Sequence, residues 1–242
     1  MKVVVVQALA LPPQDILQNL YGQWSKQDRQ IFENNFKKRS QDVVSNLKAH
    51  RLWNDMTKEE QDFLQSIPPK VKFQSHLNAM WRLESAVVLM WALGLTQEFP
   101  LFDAQTNPEL LKEIPHADIN RFIADARLLP EGEIEKRRSL AELWHWRSRT
   151  RQLVEEKKAL PPELGFESYD QIVSMVANEA HKEGDLTQIV NNDFAAKGKA
   201  YRDLSAEEWS EVRSITIERH FALNWISGYA KGNKWDKTPT DT

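Results

Sequence analysis

Apolar residues along this chain recur mainly at steps of three and four, the period of α-helices that each bury one face. The clearest case is WRLESAVVLMWALGL, Trp81 to Leu95, where Trp81, Glu84, Val88, Trp91 and Leu95 share a face. Leu83, Val87, Met90 and Leu93 are apolar too, so from Ala86 onward this helix has no polar side and belongs in an interior. Upstream, the same spacing predicts amphipathic surface helices over Gln14 to Tyr21 and Gln27 to Trp53. Thr57 with Glu60 is a capping-box pattern ahead of Phe63 and Leu64, and Pro68-Pro69 closes that helix. The central helix then extends from about Val71 to Leu95.

Thr96 to Thr106 reads as a loop, and Asn107-Pro108 as a helix start. Short helices follow over Glu109 to Ile114 and Asp118 to Leu128, then a long one from Pro130-Glu131-Gly132 to about Lys158. Ser168 with Gln171 caps a helix that Gly184-Asp185 ends, and Ser205 with Glu208 caps a last one reaching Tyr229. Val3 to Val6 is β-branched and predicts a short strand or an extended arm, while Asn191 to Leu204 predicts the longest irregular piece. The resulting fold class is mainly α. It is a single multi-helix domain around the buried central helix, with an irregular tail docked on the body and no sheet. Residues 1–60 form an arm and helices packed on a helical domain of residues 61–242, and Ala159 to Glu167 is the best linker candidate.

Composition narrows the chemistry. The 242 residues are 41% hydrophobic and 28% charged, ordinary for a globular protein. With 32 Lys plus Arg against 35 Asp plus Glu, the net charge of -3 gives no global pull toward nucleic acid or an anionic membrane. The absence of cysteine excludes disulfides, thiolate zinc sites and a cysteine nucleophile, and leans toward a reducing compartment. Met1 to Ala10 resembles a signal peptide only superficially, since its apolar run is short and broken by Gln7. No apolar run approaches the ~20 residues of a spanning helix, so the expected location is the cytoplasm. Nine tryptophans are many for this length, and their default meaning is core and helix-seam packing.

The motifs WRLESAVVLMWALGL, ELWHWRSRTRQL and ERHFALNWISGYAKGNKWDKTPTDT, in this order, carry a resemblance. Together they resemble the bacterial domain-of-unknown-function family four-two-seven-two. Matching positions are Trp81, Arg82, Glu84, Trp91, Gly94, Trp146, Arg147, Glu218, Arg219, His220, Asn224, Trp225, Trp235, Asp236, Asp241 and Thr242, and the resemblance spans roughly Gln61 to Thr242. It implies a single, mostly helical domain and brings no biochemical activity with it.

The polar residues on buried-looking faces therefore need a physical account. Arg147 shares a helical face with Leu140, Trp144, Arg151 and Val154, and Glu84 lies on the stripe of the central helix. A buried charge left alone costs several kcal/mol, so Glu84 and Arg147 are the expected partners, and Glu84→Ala should cost about 3 to 5 kcal/mol. Glu218, Arg219 and His220 fan out by about 100° per residue, with Asn224 one turn beyond His220 on the same face.

Two readings of this constellation stand. In one, a hydrogen-bonded charged network fixes the register of three helices. In the other, Arg82, Arg147, Arg149 and Arg219 line a pocket for a carboxylate or phosphate, with Glu84 or His220 as acid or base. Glu218 and His220 stand two apart, which suits no single metal ion on one helix, so neither metal nor cofactor is expected.

Lys136 to Arg151 interleaves basic residues with Trp144, His145 and Trp146, a pattern compatible with nucleic acid. The acidic net charge argues against it, and Trp144 and Trp146 point to opposite sides, so at least one is core. Nucleophile-elbow, HExxH, phosphate-loop and dinucleotide motifs are absent. In the tail, Trp235 should dock on the domain, with Asp236 or Asp241 accepting hydrogen bonds from helix N-termini or an arginine. The leading expectation is a cytoplasmic, non-enzymatic binding or protein-interaction module, accessory or immunity-type. The alternative is an enzyme or receptor for an anionic small molecule.

Overall fold

The computed structural model describes residues 1–115 and 118–240. Asp241 and Thr242, two of the positions carrying the resemblance, lie outside the described residues. The chain is mainly α, as its periodicity predicts, and divides into two compact units: Met1–Met90 with Pro108–Arg127, and Trp91–Asn107 with Leu128–Thr242.

In the first unit, α1 (Lys2–Leu9), α2 (Gln14–Gln23), α3 (Lys26–Ala49) and α4 (Lys58–Gln65) precede α5 (Phe73–Ala92), whose last two residues, Trp91 and Ala92, belong to the second unit; α6 (Ile119–Asp125) follows later. The capping box of α4 forms as its sequence requires. Glu60 N donates to Thr57 Oγ1 at 3.1 Å, and Thr57 N donates to the Glu60 carboxylate at 3.0 Å. Val3 to Val6 is helical, neither strand nor arm. Val4 and Ala8 stand one helical turn apart and pack with Phe63, Leu64, Leu47, Val71 and Ala79, so burial of that face outweighs the β preference of the valine run. Gln14 and His76 tie the elements further. Gln14 Nε2 donates to the carbonyls of Pro68 and Val71, and His76 contacts Gln14 Oε1 at 3.2 Å and the Ala8 carbonyl at 3.0 Å.

The second unit is built on α7 (Glu131–Glu155), α8 (Tyr169–Glu183) and α9 (Ala206–Ile226). Between α8 and α9 the expected irregular piece is instead a small antiparallel meander of β1 (Ile189–Val190), β2 (Asp193–Ala196) and β3 (Lys199–Ala200), in the order β1-β2-β3. Its register pairs Val190 with Asp193 and Ala196 with Lys199, so each connection is a two-residue turn. Asn191 and Asn192 have φ of 51° and 57°, and Lys197 and Gly198 have φ of 51° and 76°. Positive φ at both central residues is what a type I′ hairpin turn demands, and its twist matches that of the strands.

Aromatic rings fill this unit. Phe102 stacks on Trp144 at 5.6 Å, and Trp144 meets Phe194 edge-on at 5.4 Å. Trp144 is buried and Trp146 half-buried, in keeping with their opposite directions on α7. The tail is docked as expected, Trp235 lying edge-on to Phe221 at 4.8 Å and to Trp225 at 5.2 Å.

Candidate functional site

The eight candidate residues are divided between the two units. Arg82 and Glu84 belong to the first unit, and Arg147, Arg149, Glu218, Arg219, His220 and Asn224 to the second. Arg82 is half-buried, with its guanidinium 4.0 Å from Glu59, and Glu84 is buried. Arg149 and Glu218 are half-buried.

The carboxylate that holds Arg147 is Asp193, at the start of β2, and not the expected Glu84. Arg147 Nε and Nη2 donate to the two oxygens of Asp193 at 2.7 and 2.8 Å, a bidentate pair in which Arg147 is 3% and Asp193 0% exposed. Asp193 also accepts from the backbone N–H of Phe194 at 2.8 Å, and from the backbone N–H and Nε of Arg202 at 3.0 and 3.2 Å. Burial works against its charge, but the bonds and charge of Arg147, with those two backbone N–H groups, outweigh that and hold its carboxyl below the usual range. The Arg147 guanidinium also lies 4.6 Å from the centre of the Tyr201 ring. Burial pushes the Tyr201 phenol up to about 12, so it stays neutral. One helical turn after Arg147, Arg151 donates to the carbonyls of Tyr201 and Leu204, both at 2.9 Å. Two arginines of α7 thus clamp both ends of the segment from β2 to the start of α9.

Arg219 does comparable work from α9. It donates to the carbonyls of Leu101 and Ala104, the latter at 3.0 Å, and to Thr106 Oγ1 at 3.3 Å, closing the loop that follows α5. It is fully buried. His220, the next residue, faces α7 and meets His145 Nδ1 through its own Nδ1 at 3.0 Å. On its other side, Asn224 Nδ2 lies 3.0 Å from His220 Nε2 and donates to the carbonyl of Pro239 at 2.8 Å.

This chain of contacts fixes the protons. A carbonyl only accepts, so the Asn224 group facing Pro239 is the amide NH₂, and His220 Nε2 must therefore be a bare acceptor. The ring proton of His220 then sits on Nδ1 and is donated to His145. A protonated His220 would turn two donors against each other. Burial, reinforced by the positive charge of Arg138, pushes His220 down to about 4, in agreement with that geometry. The expected shared face of His220 and Asn224 is present, and its use is to pin the tail to α9 and α9 to α7.

Chemically, Arg147, Arg219, His220 and Asn224 are engaged with the protein itself. The bonds of the three deeply buried side chains Arg147, Arg219 and His220 run to a carboxylate, to carbonyls and to a neighbouring ring. Among the described residues, no group of three or more His, Asp or Glu is arranged to hold a metal ion. No helix among them is long and apolar enough to cross a membrane.

Sequence reasoning missed Asp193 and Arg202 because both lie in the stretch read as irregular. The signal was there: Asn191-Asn192 and Lys197-Gly198 are two-residue hairpin turns flanking Asp-Phe-Ala-Ala, which makes Asp193 the first residue of a strand.

No curated protein and no solved structure matches this chain. A family model does, over residues 27–238, which starts well before the Gln61 limit of the sequence resemblance and includes α3 from its second residue. The chain therefore belongs to the family described as Domain of unknown function (DUF4272).

Proposed function

We propose that this chain is a non-enzymatic protein-interaction module, acting in the cytoplasm of a bacterial cell as an accessory or immunity-type partner. The observation that carries the reading is the burial of three of the candidate side chains in hydrogen-bonded networks: Arg147 is 3%, Arg219 0% and His220 1% exposed. A catalytic or anion-binding centre needs its acid, base and cations open to a ligand. Here the side chains best suited to that work brace backbone segments, and specificity falls to the outer surface they hold in place. The lack of cysteine goes with a reducing compartment.

Thermal denaturation with millimolar phosphate, nucleotides and small carboxylates tests this against a receptor or enzyme for an anion. A ligand at one hundred times its Kd adds about 2.7 kcal/mol of stability, which raises the melting temperature of a chain this size by roughly 5 to 10 °C. The module reading expects no such rise. It also expects a stoichiometric protein partner to co-purify from native cells. A rise of several degrees with one of these anions, abolished in Arg149→Ala, overturns it.

A further inference from the structure

The second unit carries a surface that the buried networks do not use. A groove of about 500 Å³ opens between α7 and α8. Its floor is apolar, with Leu143 from α7 and Val176 from α8, and Met175 stands 52% exposed at its wall. Along α8 the lining residues Met175, Glu179 and Glu183 recur every four positions, so they form one continuous stripe on the helix. An exposed methionine is a flexible, polarizable side chain that suits an adaptable docking surface.

The rim is acidic. Glu179, Glu183 and Asp185 edge the same groove, and only Glu179 is neutralised by a neighbour, Lys182 at 3.7 Å. Glu183 and Asp185 take part in no ion pair among the described residues. The stripe from Met175 to Glu183 spans eight residues of rise, about 12 Å at 1.5 Å per residue, or a little over two helical turns.

From these features we infer that the α7–α8 groove docks a short, basic amphipathic helix of a partner protein. Its apolar residues, at steps of three and four, sit against Leu143, Val176 and Met175, and its Lys or Arg side chains pair with Glu183 and Asp185. The inference rests on the interaction-module reading and adds where the partner binds and what charge it carries.

The test uses the full chain with two peptide probes of one helical pattern, one of leucine and lysine and one of leucine and glutamate. Binding is followed by calorimetry and by the NMR signals of ¹³C-methyl-labelled methionines. The Leu/Lys peptide is expected to bind, to weaken as salt is raised, and to move the Met175 methyl signal ahead of those of Met56 and Met80. Met175→Glu, and Glu183→Lys with Asp185→Lys, each weaken it at least tenfold. Met175 and Glu183 are exposed and Asp185 is half-buried, and unchanged circular dichroism verifies the fold.

Absence of binding, equal binding of the Leu/Glu peptide, or unchanged affinity in the variants overturns the inference. So does self-association of the chain that Met175→Glu abolishes, because the occupant is then a second copy. A native partner that co-purifies equally with wild type and with these variants removes the groove while leaving the module reading in place. A small anion that stabilises the chain with no partner found removes the module reading itself.

Discussion

Asp193→Ala is the most informative single perturbation of this protein. The side chain is fully buried and accepts five hydrogen bonds: two from Arg147, two from Arg202 and one from the backbone of Phe194. Removing it leaves the Arg147 guanidinium charged, desolvated and without its carboxylate, a situation that costs about 3 to 5 kcal/mol. That is a large part of a typical total stability of about 5 to 15 kcal/mol. The sequence alone assigned this penalty to Glu84→Ala, but the bidentate pair moves it to Asp193.

Asp193→Asn should be nearly as harmful despite its matching shape, because both oxygens accept from N–H donors and an amide NH₂ in either place meets a donor. Arg147→Met with Asp193→Leu, which deletes both charges, should recover most of the loss. Urea unfolding followed by tryptophan fluorescence measures all three, with the coupling read from the double-mutant cycle. A cost below about 1 kcal/mol for Asp193→Ala, or a double variant as unstable as the sum of its singles, refutes the argument that an uncompensated buried charge governs this unit.

The other expectations are more local. His220 titrates at about 4 in the folded chain against 6.5 when free. Between those values the unfolded chain binds the extra proton, so stability is full above about pH 6.5 and falls by up to about 3 kcal/mol as the pH drops to about 4. Urea midpoints across this range should show that slope in the wild type and lose it in His220→Gln, and equal slopes would contradict the assignment. Gly198→Val forces a β-branched residue into a φ of 76° and should cost about 1 to 2 kcal/mol, whereas Asn192→Gly in the other turn should be tolerated, as thermal unfolding can compare. Thr57→Ala removes half of the capping box on α4 and should cost about 1 kcal/mol in the same assay. Trp235→Ala removes the ring that meets Phe221 and Trp225, so limited trypsin digestion should cut at Lys231, Lys234 and Lys237 sooner than in the wild type.

Local sequence was enough wherever a local interaction decides the structure. The caps Thr57-Glu60, Ser168-Gln171 and Ser205-Glu208 need only backbone N–H groups three residues away, and each is found at the start of α4, α8 and α9. The apolar stripe of the central helix and the docking of Trp235 were legible for a similar reason, since large apolar surface has nowhere to go but inside. So was the burial of Arg147, which follows from its place beside Trp144 on α7. The hairpin turns at Asn191-Asn192 and Lys197-Gly198 were written in the chain as well, but the strands they join are two to four residues long and carry no periodicity of their own.

Partner choice was another matter. Val3 to Val6 took its conformation from the helices that bury Val4 and Ala8, against its own preference. Nothing in the neighbourhood of Arg147 names Asp193, 46 positions later, rather than Glu84. Spacing along a helix tells which face a charge is on, and burial tells that it needs a counter-charge. Which carboxylate arrives is set by how the meander folds back on α7, a long-range event that only the assembled tertiary structure decides.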